Sequence, residues 1–198
     1  MGSTPPRRPF EFTGKHVVAD FVNTVNRRPD FTRDDLTEPA DLAEWAVAAG
    51  LSTEEGRVKC SDGDAAQFRA AIALRETLYR VFGPIAAGDA PDLAAMAHLS
   101  RRGAQALRSA QWTCSQTGFR PQWELDSLDG ICDVLADEAI ALLRSTTVGR
   151  VGACAGCGWL FVDVSRAGAR RWCSMNVCGV RDKMHRYHRR QAMAAGIS

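Results

Sequence analysis

The chain has 198 residues, 45% of them hydrophobic and 24% charged, with 25 Lys and Arg against 23 Asp and Glu. Such a composition excludes a disordered chain, and the length suits one ordinary domain with a small appendage rather than two full ones. No unbroken apolar run nears the roughly 18 residues of a membrane span, and the start MGSTPPRRPF has no apolar signal region, so a cytoplasmic protein is expected.

Residues 1–9 hold three prolines and two arginines with no apolar period, and read as a flexible leader. Phe10 to Thr13 could form a short strand. From His16, the residues Val17, Val18, Phe21, Val22 and Val25 share one helical face. Opposite them, His16, Asp20, Asn23 and Arg27 make a polar stripe, most simply a solvent face. A second helix follows Thr37 and a Glu-Pro start, with Leu42, Trp45, Ala46 and Ala49 inward and Gly50 as its stop. Asp64 and Gln67 resemble a capping box for a third helix carrying Phe68, Ile72, Leu78 and Phe82, which Gly83-Pro84 should end. Pro91 opens a fourth through Leu93, Met96 and Leu107. Ser127 caps a fifth with Leu128, Ile131, Leu135, Ala139 and Leu142 inward. Between these two, QWTCSQTGFRPQWEL reads as a β-hairpin. Trp45, Trp112 and Trp123 are expected in the core rather than in a pocket.

The charge is divided unevenly. Residues 150–198 carry nine Lys or Arg against Asp163 and Asp182, a net +7, while the remaining 16 bases and 21 acids give −5. That asymmetry points the C-terminal end toward a polyanion.

Seven cysteines are an odd number, and Cys60, Cys114 and Cys132 are isolated, which makes a poor disulfide framework. The other four, Cys154, Cys157, Cys173 and Cys178, follow C-x2-C-x15-C-x4-C. Two residues between ligands let one tight turn present both sulfurs, and four thiolates suit a closed tetrahedral zinc site with no position open for catalysis. Gly156 and Gly158 leave room for backbone N–H groups near the thiolates, and a hairpin-like stretch from Trp159 to Val164 with a turn at Ala167-Gly168 joins the pairs. His185 and His188 are alternative donors. A module of about 45 residues has too small a core to fold unaided, so structural Zn2+ should supply much of its stability.

After the last cysteine, VRDKMHRYHRRQAM contains no helix breaker. Val180, Met184, Tyr187 and Gln191 form a stripe able to lie on the zinc core, and Arg181, Lys183, His185, Arg186, His188, Arg189 and Arg190 occupy the rest of the surface. Arginines fork onto phosphate or guanine, so this helix, extended by Arg170 and Arg171, is a candidate nucleic-acid reader.

The stretch CAGCGWLFVDVSRAGARRWCSMNVCGVRDKMHRYHRR resembles the CGNR-type zinc finger. ADFVNTV at 19–25 and FRAAIALRETLYRVF at 68–82 resemble the ABATE domain that commonly precedes it, and together the likeness runs from about residue 14 to 190. It implies a stress-induced transcription regulator with a DNA-binding finger and a signal- or ligand-responsive N-terminal domain. Asp20, Asn23 and Thr24, matching the family's DFxNT motif, are then candidates to shape a small-molecule site. Val180 stands where the signature has Asn.

The expected architecture is α+β: a mainly helical domain with a small antiparallel sheet over residues 10–145, then a four-cysteine hairpin-plus-helix module over 150–195. The leading expectation is a DNA-binding regulator with a small-molecule effector, and a homodimer is compatible with it. The alternative is a binding protein or enzyme whose finger is only structural. No nucleophile with an evident base, Gly-rich phosphate loop or HExxH pair supports catalysis.

Overall fold

The computed structural model describes residues 9–26, 33–116 and 118–194. Most of the proline-rich leader and Arg27 of the polar stripe lie outside these. The fold is α+β, with six α-helices and three two-stranded antiparallel sheets among the described residues.

The first helix, α1, spans Val17–Val22, shorter than its apolar pattern suggests. Thr24 closes it by turning its hydroxyl onto the Phe21 carbonyl at 2.8 Å, which satisfies one of the orphaned carbonyls of the last turn. Val25, expected to continue the helix, instead lies in β1 (Val25–Asn26), paired with β2 (Arg33–Asp34). Phe10 to Thr13 form no strand. Phe10 packs on the helical core, Phe12 lies 6.5 Å from the Trp45 ring, centroid to centroid, and the Thr13 carbonyl accepts from Arg170 instead of entering a ladder.

Helix α2 covers Pro39–Ala48, with Glu38 as N-cap and Pro39 in the first turn, where its missing N–H costs nothing. Trp45 is buried against Phe21, ring centroids 5.1 Å apart. Helix α3 runs Ala65–Ala87. Its capping box is Ser61 with Asp64, in a short 3-10 turn, rather than Asp64 with Gln67. Nor does Gly83-Pro84 end it. Pro84 cannot donate to the Arg80 carbonyl, but the Asp92 N–H takes that carbonyl at 3.4 Å, so the helix continues until Gly88 adopts left-handed backbone.

Helix α4 (Leu93–Ser109) starts at the Asp92 cap, and β3 (Gln111–Ser115) pairs with β4 (Gly118–Gln122) as the expected hairpin. Trp123 ties that hairpin back by donating to the Ala106 carbonyl at 2.8 Å, whereas Trp112 stands out in solvent. Helix α5 (Leu128–Arg144) begins at Ser127 and packs along α4, where Arg102 pairs with Asp133. A 3-10 turn over Thr146–Arg150 leads into β5 (Val151–Ala153), antiparallel to β6 (Leu160–Val162).

The main core is built from α1, α2, α3, α5 and the inner face of α4, and it includes Leu160 and Val162 of β6. Successive strand residues face opposite sides. Leu160 and Val162 therefore enter the helical core while Trp159 and Phe161 join a second small cluster with Cys154, Cys173 and Cys178. The four-cysteine segment thus shares a strand with the body.

At Gly130, in the first turn of α5, an added Cβ would collide with the backbone carbonyl of Glu124. Gly130→Ala should destabilise the chain by about 1–3 kcal/mol and lower its Tm by several degrees, read by thermal denaturation.

Candidate metal centre and its mount

Cys154 follows β5 and begins a tight turn in which the Gly158 N–H returns to the Cys154 carbonyl at 2.9 Å. The Cys154 N–H bonds the Trp159 carbonyl at 2.8 Å, so the turn carrying Cys154 and Cys157 is the end of the β5–β6 ladder. Cys173 arrives on the returning loop. Cys178 is presented by one π-helical turn, Met175–Gly179, whose fifth-residue spacing lifts it inward.

The four sulfurs lie within 4.8 Å of one another, with Cys157 to Cys173 at 3.6 Å and Cys173 to Cys178 at 3.7 Å. Zinc–sulfur bonds of about 2.3 Å in a tetrahedron require sulfur–sulfur edges of about 3.8 Å, so the donor set fits zinc. A Cβ at Gly156 would stand 3.2 Å from that of Cys178, so the site tolerates little bulk there. Three of the four cysteines are buried. The Cys157 thiol is pushed up to about 12, first by its hydrogen bond with Cys154 and then by burial, and Cys173 is raised in the same way, while Cys154 is lowered by those bonds. Packed thiols thus resist a second negative charge, which a divalent cation compensates. The bound ion would act as a cross-link; the four sulfurs fill a tetrahedral shell. His185 and His188 lie exposed on the helix beyond, and the cluster comprises the four cysteines.

The centre is mounted on the body by a dense set of bonds. Asn23, at the C-terminal end of α1, is buried. Its amide nitrogen donates to the Leu160 carbonyl at 2.8 Å and its amide oxygen accepts the Leu160 N–H at 2.9 Å. The Trp159 indole donates to the Val25 carbonyl at 2.9 Å, and the Val162 N–H donates to the Gly14 carbonyl at 2.8 Å. Arg170 closes the far side: its guanidinium donates to the carbonyls of Thr13 and Cys173, both at 2.6 Å, and stacks 4.4 Å from the Phe161 ring centroid. Asp163 accepts the N–H groups of Ser165 and Arg170, and bonds from Ser165 and then Arg170 hold its carboxyl down at about 2.

Asp20 and Thr24 support this mount from within the body. Asp20 accepts the Gly14 N–H at 2.7 Å, fixing the loop whose carbonyl holds Val162. Burial raises the Asp20 carboxyl to about 6, partly offset by that bond and by Lys15 and Arg170. Thr24 accepts from Arg75 at 3.1 Å, and Arg75, 2% exposed, is also forked onto Asp34 at 2.7 and 2.6 Å. Asp20, Asn23 and Thr24 are therefore gathered at one place, with these polar groups engaged by the finger and its supports. The polar stripe expected to face solvent is buried at Asp20 and Asn23. Sequence patterning assigns no role to Trp159 or Asp163 within the finger, and the one signal for Arg75 is a charged residue among the inward positions of α3.

The basic segment forms α6, Val180–Ala194. The stripe expected to lie on the zinc core does not. Val180, Met184 and Tyr187 are each about half exposed, and Gln191 is exposed, because α6 leaves the metal turn with few neighbours along its length. Arg181, Lys183, Arg186, Arg189 and Arg190 are exposed, with Arg186 drawn to Asp182 at 2.8 Å. Arg171 is exposed too, 5.4 Å from the Trp172 ring centroid, whereas Arg170 is turned inward. At Val180 the backbone is helical (φ −63°, ψ −44°), not the extended geometry of an N-cap, so a side chain there faces outward instead of capping α6.

Comparison with known families gives two matches. Residues 15–146 match ABATE, described as "Putative stress-induced transcription regulator", and residues 150–191 match the CGNR zinc finger. No curated protein matches the chain.

Asn23→Ala should cost about 2–4 kcal/mol, because the buried Leu160 N–H and C=O are both left unpartnered, and denaturant titration of the zinc-loaded protein reads it. Asp20 gives a pH signature. Its folded pKa lies above the ordinary carboxylate value, so the fold favours the protonated form and loses stability as pH rises through 6. Asp20→Asn keeps the acceptor for Gly14. Its stability relative to wild type should improve by about 1 kcal/mol between about pH 5 and pH 7, and a flat difference would contradict the assignment.

Proposed function

The chain belongs to the ABATE family and carries a CGNR zinc finger, and from that premise we propose that it is a stress-induced, DNA-binding transcription regulator acting in the cytoplasm. In this reading residues 10–145 are a signal-receiving domain and residues 150–195 a DNA-contacting one. No helix among the described residues is long and apolar enough to cross a membrane.

The observation that carries the proposal is α6. A helix with cations around its circumference projects from a metal-braced turn, and no other element among the described residues covers its length. Arg181, Lys183, Arg186, Arg189 and Arg190, with Arg171 at its base, would meet phosphates, and the half-exposed Met184 and Tyr187 would meet apolar base edges or sugars. Arg170 would serve from below, holding the finger at a fixed angle. Asp20, Asn23 and Thr24 would act in effector response as the link between body and finger. Two-fold pairing of such chains would place two α6 helices on one duplex.

Two observations favour a second reading, a small-molecule-binding protein whose finger is only structural. The finger's β6 is part of the body's core wall, and Val180 replaces the Asn of the signature at an outward position.

Duplex affinity measured against salt by fluorescence anisotropy separates the two. Zinc-loaded protein should show a steep slope, and replacing Arg186, Arg189 and Arg190 together by alanine should reduce it by about 2–3, near 0.9 for each phosphate no longer neutralised. An unchanged slope, or no binding at low salt, would leave the structural reading.

A further inference from the structure

The β3–β4 hairpin stands away from the helices. Among the described residues no helix packs along it, and it is tied down at its base, where Trp123 donates to the Ala106 carbonyl and Gln111 to Glu124 at 3.3 Å. The register sets Trp112 opposite Pro121 and Cys114 opposite Phe119, so these four residues share one face, with Thr113 and Arg120 on the other. Trp112 is 59% and Phe119 72% exposed, and Cys114 is exposed as well. As diagonal neighbours across the two strands, the rings stand about 7–8 Å apart at Cα and make one continuous apolar patch. Single exposed apolar residues are ordinary on a protein surface. Two adjacent aromatics on a two-stranded sheet, which is marginally stable alone in water, call for a cover.

We propose that this face is where two copies of the chain meet about a two-fold axis, Trp112 of each copy lying against Phe119 of the other. Charge selects the occupant. A two-fold contact sets a patch against itself, so a charged patch is repelled by its own copy. The apolar face of the hairpin carries no charged residue. The other exposed apolar stripe, Val180, Met184 and Tyr187 of α6, lies among Arg181, Lys183 and Arg190, which keeps two copies apart there. Area sets the strength. At about 150–250 Å² per aromatic side chain, the exposed parts of four rings remove on the order of 500 Å² from water, below the roughly 1,200 Å² at which stable specific interfaces begin. The pairing is therefore a micromolar association governed by concentration. It stands without the DNA reading; only its consequence, two α6 helices offered to one duplex, rests on that reading.

Analytical ultracentrifugation of the zinc-loaded full chain, from about 1 to about 200 μM and without DNA, tests the pairing. A reversible equilibrium between the 21.6 kDa chain and a species of twice that mass is expected. Phe119→Lys and Trp112→Lys should each weaken it at least about tenfold at an unchanged Tm, since both side chains are exposed in the single chain. Gln122→Lys places the same charge on the opposite face and should leave the equilibrium as it is. A short bismaleimide should join two chains through Cys114, and Cys114→Ser should abolish that product. A chain that stays monomeric at about 200 μM leaves the face to some other molecule and overturns the proposal. So does a dimer that survives both Phe119→Lys and Trp112→Lys, or one lost equally in Gln122→Lys. A chain that pairs but binds no duplex would keep the interface and remove the regulator reading; one that binds duplex while monomeric would do the reverse.

Discussion

Two hydrogen bonds between the Asn23 amide and the backbone of Leu160 decide how the two parts of this chain relate. A buried strand has to satisfy its N–H and C=O groups, and β6 has a ladder partner, β5, on only one edge. On its other edge the body supplies what a third strand would have supplied: the side-chain amide of Asn23 for Leu160 and the Gly14 carbonyl for Val162. A side-chain amide offers a donor and an acceptor at the spacing of a peptide unit. Removing it leaves two backbone groups buried without partners, a larger penalty than the net worth of two ordinary bonds.

That constraint gives the metal centre its meaning. The cluster around the cysteines has only a few buried side chains, so neither it nor the β5–β6 pair could hold a fixed orientation alone. Zinc closes the finger from inside, and Asn23, Trp159 and Arg170 fasten it from outside. The result is a rigid base with one projecting element, α6, whose direction is set by body and metal together. A chain built this way can transmit a change in the body to α6 without any unfolding of the finger.

Much of this was legible in the sequence because local chemistry dictated it. Cysteine spacing specified the metal set, Ser127 and the Glu-Pro start specified helix ends, and paired tryptophans around a glycine turn specified the hairpin. The departures all come from partners distant in sequence or from their absence. Pro84 does not stop α3 because Asp92 takes the freed carbonyl. Val25 leaves the helical pattern because Arg33 and Asp34 return to pair with its strand. Asp20 and Asn23 look like a solvent stripe by periodicity, yet Asn23 meets a residue 137 positions away. The apolar stripe of α6 looked like a packing face, but no element among the described residues arrives to cover it.

The account stands on the finger and the helical body forming one structure rather than two tethered ones. Differential scanning calorimetry of the zinc-loaded chain addresses this directly. A single transition whose calorimetric and van't Hoff enthalpies agree is the predicted result, since Leu160 and Val162 cannot leave the core without disrupting it. Two resolved transitions, with the finger melting while the helical body stays folded, would contradict it.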